Sequence, residues 1–313
     1  MRYVTNLCTD AQWNMAHDEF LLEQVPGTVF CLWQNAPSVI VGLNQSVYAE
    51  VNLPYLEAKG IILARRVTGG GAVYHDLGNL NYSIAGPIPE VEQHYDSLAQ
   101  ALRKLGVPAE RSGRNDILVE GRKCSGYAKR LSRQRMMIHG TLMWDVDLDA
   151  LTQALAAPGS KLSAAGIASV RSRVANLKAY LPQLSSIEQL RAALQGILAE
   201  GDSEYRLSAQ NLEEISAQAD AKFRSWEWIY GHSPESSFQV SGKFPCGTLS
   251  VKYSLRHGVL DQLAFEGDFI GNRPARELAE RLLGRRLEAI KEEPVSDYFD
   301  GLLPEDLYDL FRQ

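Results

Sequence analysis

The segment RRVTGGGAVYHDLGN at positions 65–79 sets three consecutive glycines between a pair of arginines and a His-Asp pair. Gly69, Gly70 and Gly71 allow backbone N–H groups to turn toward an anion without Cβ interference, and Arg65 and Arg66 supply charge for a phosphate or a carboxylate. The spacing satisfies neither GxxxxGK[ST] nor GxGxxG, so the common phosphate-loop families are excluded. A glycine-rich hairpin with exposed arginines is the plain alternative. A second segment, NDILVEGRKCSGYAKR at 115–130, reads as a strand, a tight turn at Glu120-Gly121 and a second strand carrying Lys123 among the small residues Cys124, Ser125 and Gly126. An ammonium there, with three donors on a point charge, suits a carboxylate and a phosphate oxygen held together; a solvated strand lysine is the alternative. A third segment, MMIHGTLMWDVD at 136–147, alternates as a strand with His139 and Gly140 in its first half. A lone histidine in such a strand reads as a hydrogen-bonded core residue.

These segments need positioning elements. Apolar residues at 61–64, 72–74 and 80–84 make the glycine loop a connection between strands. The pattern predicts an amphipathic helix over 10–24, N-capped by Asp10 and stopped by Pro26-Gly27, then strands over 29–33 and 38–42 separated by Asn35-Ala36-Pro37. Further helices are predicted over 91–105, 148–156, 186–201 and 212–228. The stretch 232–237, His-Ser-Pro-Glu-Ser-Ser, reads as a linker and hinge. Beyond it come strands over 238–240, 247–253 and 259–265, with a turn at Arg256-His257-Gly258, and closing helices over 273–283, 286–291 and 304–311.

A chain of 313 residues with 45% hydrophobic content suffices for one large domain and a small one. The net charge of −6 argues against a nucleic-acid partner. Cys8, Cys31, Cys124 and Cys246 are scattered without a CxxC pair, as expected of free thiols in a reducing cytosol rather than a disulfide framework or zinc site. The N-terminus lacks a basic region followed by an apolar core, and no apolar run approaches membrane-spanning length, so a soluble, cytoplasmic protein without a membrane partner is expected.

Taken in order, RRVTGGGAVYHDLGN, NDILVEGRKCSGYAKR, HGTLMWDVDL and KLSAAGIASVRSRVANL at 161–177 resemble the lipoate-protein ligase A family, and the resemblance runs on through Trp226-Glu227-Trp228 into the strand-rich tail. It implies a biotin/lipoate protein ligase-like α/β (α+β) catalytic domain over 1–235, with a mixed, largely antiparallel sheet, and a small α+β accessory domain over 238–313. The implied chemistry is ATP-dependent activation of lipoate to lipoyl-AMP, then transfer to a lysine of apo lipoyl domains, those of 2-oxoacid dehydrogenase acyltransferase subunits and the glycine cleavage H protein. In this reading Arg66 and the amides of Gly71, Ala72, Val73 and Tyr74 serve the nucleotide phosphates and close over the lipoyl chain. Lys123 bridges the lipoate carboxylate and the α-phosphate. Gly69, Gly70, His75, Asn79 and His139 are secondary positions, with His75 and Asp76 ordering the loop. Arg171 and Arg173 belong to a loop over 163–176 that folds onto the adenylate. Adenylation generally uses Mg²⁺; Asp116 is the candidate carboxylate, its alternative role being to cap the turn before a strand. Arg111, Arg114, Arg122, Lys129, Arg130, Arg133 and Arg135 are the expected basic surface for an acidic acceptor. Competing readings are an octanoyl or lipoyl transferase that uses Cys124 and no ATP, a biotin ligase, and a catalytically silent lipoyl-domain-binding protein.

Overall fold

The computed structural model describes residues 1–113, 115–156, 172–199 and 203–312. Among these residues thirteen strands run in chain order: β1 (Arg2–Thr5), β2 (Val29–Trp33), β3 (Ser38–Val41), β4 (Ile62–Arg65), β5 (Val73–His75), β6 (Asn79–Pro87), β7 (Ala109–Ser112), β8 (Asp116–Val119), β9 (Arg122–Ser132), β10 (Arg135–Met143), β11 (Ser236–Phe244), β12 (Gly247–Arg256) and β13 (Val259–Gly267). They form a seven-stranded sheet in the order β1-β2-β6-β10-β9-β8-β7, a three-stranded sheet β4-β3-β5, and a meander β11-β12-β13. In the large sheet only β1 and β2 pair in parallel, so it is mixed and largely antiparallel. The glycine loop does not belong to that sheet. It joins β4 to β5 in the small sheet, where β3 pairs parallel to β4 and antiparallel to β5.

Alternation along the strands divides the core in two. Leu80, Tyr82 and Ile84 of β6 join Phe30, Leu32, Met136 and Ile138 in a cluster that includes Leu98 and Leu102 of helix Ser97–Lys104 and Leu190 and Leu194 of helix Ile187–Leu198. On the opposite face, Val29, Cys31, Trp33 and Met137 pack with Met15, Leu21 and Leu22 of helix Ala11–Glu23 and with Val39, Ile40 and Ala64 of the small sheet. That helix starts where the sequence indicates, Asp10 accepting from the N–H groups of Gln12 and Trp13. The helix expected over 91–105 is instead Ile88–Glu92 and Ser97–Lys104. Between them Tyr95 stacks on Tyr127 at 5.9 Å and donates to the Met136 sulfur, contacts that a continuous helix would not place. The helix expected over 212–228 is Ala209–Gln218, a widened π turn at Ala219–Phe223 and a short helix Trp226–Ile229. The π turn lets Lys222 reach Glu19 at 2.7 Å while Phe223 packs edge-on to Trp228.

The C-terminal meander has its own core, in which Leu249, Val251 and Leu255 meet Leu278, Phe299, Leu307 and Leu310. Its β12–β13 turn has His257 and Gly258 at φ 51° and 74°, the two left-handed residues of a type I′ hairpin. The tip packs on Trp226, whose ring also lies 3.5 Å from the Arg286 guanidinium. Arg312 closes the junction on Glu57 at 2.7 Å. The expected linker is pinned at one point: Ser233 is buried and its hydroxyl accepts from Val47 N–H and from Arg65.

Arg65, the last residue of β4, is fully buried. Its guanidinium donates to the carbonyls of Trp228, Ile229, Gly42, Leu43 and Gln45 as well as to Ser233, at 2.7–3.2 Å. Trp228 Nε1 returns a bond of 2.8 Å to the Arg65 carbonyl. Burial lowers the Arg65 pKa to about 10. Arg65 is thus a structural clasp rather than a phosphate ligand, which corrects its reading as ligand-facing charge. Replacing it by Met strands several buried carbonyls, so Arg65→Met is expected to cost on the order of 3 kcal/mol or more, against about 1 kcal/mol for Ser233→Ala. Urea denaturation of both variants checks this, and equal small losses would contradict the clasp.

Candidate active site

The small sheet faces the large one across a cavity of about 200 Å³. Ile40 of β3, Arg66, Gly70, Gly71, Ala72, and Val73 and His75 of β5 form one wall; Trp33, Asn81, Lys123, Gly126, Tyr127 and His139 through Thr141 of the large sheet form the other. Met15 closes the side toward helix Ala11–Glu23. Apolar walls surround a cationic interior, the arrangement of a site for an apolar chain ending in an anion.

Arg66 is buried, and its guanidinium wraps the glycine loop. It donates to the carbonyls of Ile40, Gly69 and Gly71 and to the Thr68 hydroxyl. Burial, reinforced by the charge of Arg65, lowers its pKa to about 10. Among the described residues no carboxylate pairs with either guanidinium, and of the two only Arg66 lines the cavity. The close packing of this wall depends on Gly42: a Cβ there would lie 2.1 Å from the Gly70 carbonyl oxygen.

A hydrogen-bonded chain fixes the loop to the large sheet. Arg66 Nε donates to Thr68 Oγ1 at 3.0 Å, Thr68 Oγ1 is 2.7 Å from His139 Nε2, and His139 Nδ1 is 2.6 Å from Asp18 Oδ2. The other Asp18 oxygen accepts from Ser83, which accepts from Trp33 Nε1 at 2.9 Å. Since the carboxylate can only accept, His139 presents N–H to Asp18, with its other nitrogen within hydrogen-bond reach of the Thr68 hydroxyl. His139 is therefore a hydrogen-bonded core residue as expected, and it also lines the cavity.

Lys123 lies across Gly126, where an added Cβ would sit 2.8 Å from its Cε and Nζ, and its ammonium is 2.7 Å from Asp116 Oδ1. Backbone from the far side of 157–171 returns to this strand: Val174 bridges Lys123, and Ala175 N–H donates to the Lys123 carbonyl at 2.9 Å. Arg173 directly precedes that bridge, whereas Arg114, Arg171 and positions 163–171 of the expected adenylate loop lie outside the described residues. The Cys124 neighbour is fully buried on the opposite face, and desolvation pushes its thiol up to about 12, away from the thiolate form that a nucleophile needs.

Of the sequence-derived positions, Arg66, Gly70, Gly71, Ala72, Val73, His75, Lys123 and His139 come together around the cavity. Gly69 holds Arg66 through its carbonyl, Tyr74 points into the core and Asn79 donates to Asn81 at 2.7 Å. Asp116 adjoins the cavity through Lys123. Sequence reasoning missed Asn81, Asn115, Trp33, Met15 and Thr141. Asn81 had a signal: in Leu80-Asn81-Tyr82-Ser83-Ile84 polar residues alternate within a strand buried on both faces, which places them on a functional face or in a polar network. The residues Asn81 and His75 line the cavity, and among the described residues the buried Asn81 Nδ2 and His75 Nε2 have no hydrogen-bond partner, which leaves both with capacity for a ligand or water.

Residues 10–199 match the family model of the lipoyl protein ligase A/B catalytic domain, and residues 233–311 match that of the bacterial lipoate protein ligase C-terminus. The chain belongs to the lipoate-protein ligase family. It is 35% identical to the lipoate-protein ligase LplJ of Bacillus subtilis over 96% of each chain. It is 37% identical to lipoate–protein ligase 1 of Staphylococcus aureus, over 99% of this chain and 96% of that one. A bi-partite ligase from Thermoplasma acidophilum, solved in work on its archaeal lipoylation system and E2 lipoyl domain, superposes with a TM-score of 0.67 at 28% identity, covering 74% of this chain and 96% of that one. A lipoate-protein ligase A bound with ATP superposes with a TM-score of 0.64 at 27% identity, over 74% and 98%. No helix among the ligase's described residues is long and apolar enough to cross a membrane.

Burial holds two histidine rings neutral, lowering His17 to about 4 and His75 to about 3, the latter helped by Arg66. In the unfolded chain both protonate near 6.5. The unfolded state therefore binds more protons below that pH, and stability falls as pH drops from 6.5 toward 4, by about 1.4 kcal/mol per pH unit for each ring within its window. Above pH 7 this contribution is fully present. Urea unfolding at pH 7.5 and pH 5 is expected to show the loss, and a level free energy across that range would contradict neutral buried rings.

Proposed function

We propose that the cavity between the two sheets joins lipoate to ATP and holds the resulting lipoyl-AMP for transfer to a lipoyl domain. The observation that carries this is the placement of the Lys123 ammonium and the buried Arg66 guanidinium on one apolar-walled cavity. In the first half-reaction the lipoate carboxylate attacks the α-phosphorus and pyrophosphate leaves, so two anions must be held close while charge grows on the phosphoryl oxygens. Lys123 bridges carboxylate and α-phosphate, oriented by Asp116 and by the space over Gly126. Arg66 sets the loop so that amides from Gly71 to Tyr74 meet the nucleotide phosphates, and its charge lowers the energy of the polyanion. Met15, Trp33, Ile40 and Val73 supply apolar surface for the lipoyl chain. In the second half-reaction a lysine amine attacks the acyl carbonyl and AMP leaves with the bonding electrons.

Among the described residues no group of three His, Cys, Asp or Glu gathers for a metal. Magnesium on a triphosphate needs only one or two protein carboxylates. Asp116 fits that need beside Lys123, and the ion would neutralise phosphate charge. We assign 1–235 to catalysis and 238–313 to an accessory domain that moves between activation and transfer. The acceptors are lipoyl domains of 2-oxoacid dehydrogenase complexes and H protein, met in the cytoplasm. A thioester route through Cys124 is disfavoured by the buried, high-pKa thiol.

Lys123 is nearly half exposed, so its loss should spare the fold. Lys123→Ala is expected to reduce lipoate-dependent pyrophosphate release by about a thousandfold, the scale of a removed charge-stabilising donor, with an unchanged melting curve. Near-normal release would take Lys123 out of the chemistry.

A further inference from the structure

The strand that carries Lys123 runs on past the cavity with one edge open. β8 pairs with β9 only as far as Gly126, and Asn115 then caps Tyr127, accepting from its N–H at 3.0 Å and donating to its carbonyl at 2.6 Å. From 128 to 132, β9 pairs with β10 on one side and, among the described residues, with no strand on the other. In an antiparallel ladder, backbone groups alternate between facing the partner and facing away. Since those of Tyr127 go to Asn115, those of Lys129 and Leu131 face the open edge. Tyr127 and Ala128 themselves line the cavity, so this edge is continuous with its mouth.

The side chains here differ from the rest of the expected basic surface. Arg111 is paired with Asp96 and Arg122 with Glu120, Arg130 donates to the Val67 carbonyl, and Arg135 caps the carbonyls of Leu22 and Val25. Among the described residues Lys129 and Arg133 are exposed and have no carboxylate partner, and Leu131 between them is 58% exposed. Arg133 sits at φ 52° in the tight turn that ends the strand. A cationic, partly apolar edge on a chain of net charge −6 is a local feature that can select an acidic partner.

We propose that the acceptor domain docks by adding an extended, acidic segment to the 128–132 edge of β9, with the N–H and C=O groups of Lys129 and Leu131 supplying main-chain hydrogen bonds. This rests on the ligase reading of the cavity and adds where the lysine-bearing partner lies: beside the strand of Lys123, with the target amine directed to the adenylate.

Two variants test it with an apo lipoyl domain as probe. Leu131→Pro removes one outward N–H from an edge strand, where proline is tolerated, while Leu131→Thr keeps it. The double variant Lys129→Glu/Arg133→Glu reverses the charge. Both the proline and the charge-reversal variants are expected to raise the acceptor KM and the dissociation constant from direct titration roughly tenfold, with Leu131→Thr near wild type. Acceptor-free, lipoate-dependent pyrophosphate release should stay within about twofold. Unchanged acceptor binding in both variants overturns the proposal, as does a parallel fall in pyrophosphate release, which would mean that the edge serves activation. Absence of pyrophosphate release from the wild type would instead defeat the ligase reading, and direct titration would still judge the docking edge.

Discussion

Two adjacent guanidiniums are buried in this protein without a carboxylate among the described residues to neutralise them, and much of the catalytic architecture follows from that constraint. A buried charge survives only where its donors are satisfied. Arg65 meets this with carbonyls from two separate segments and so fixes the end of β4, the turn after β3 and the Trp226–Ile229 helix in one place. Arg66 meets it with the carbonyls of the loop that follows it. The neighbours thus divide two tasks: one holds the framework, the other gives the loop its shape and leaves positive potential in the cavity.

The large sheet answers with a face that is polar where most of the sheet is apolar. Asn81, Ser83 and His139 lie on that face, and Ser83 and His139 are joined through Asp18 to helix Ala11–Glu23. A network of this kind is rigid when fully satisfied. Here it links the helix, both sheets and the glycine loop, leaving Asn81 Nδ2 and His75 Nε2 as buried groups with capacity to spare.

The glycine loop, the lysine hairpin and the alternating C-terminal strands were legible because each is a local pattern: glycines beside charges, a Glu-Gly turn, period-two hydrophobicity. Asp10 as a cap was legible for the same reason. What stayed hidden depends on contacts distant in sequence. Nothing in Arg65-Arg66 tells which side chain turns to the framework and which to the loop. The break at Tyr95 follows from its stacking on Tyr127, and the π turn from Lys222 seeking Glu19. The basic residues around the hairpin formed one cluster as text, yet most are spent on carbonyls or local ion pairs once folded.

The triple glycine shows how uneven such a motif is under substitution. Gly70 has φ 93° and its carbonyl abuts Gly42, whereas an added methyl at Gly69 or Gly71 would meet nothing within 4 Å. Drift at the middle position, or at Gly42, strains the loop backbone itself. Drift at the outer two leaves the resting fold undisturbed and is felt only when a ligand must approach. Identical letters in the run therefore carry two different constraints, one set by the fold and the other by the room a ligand needs, and a stability screen alone would see just the first.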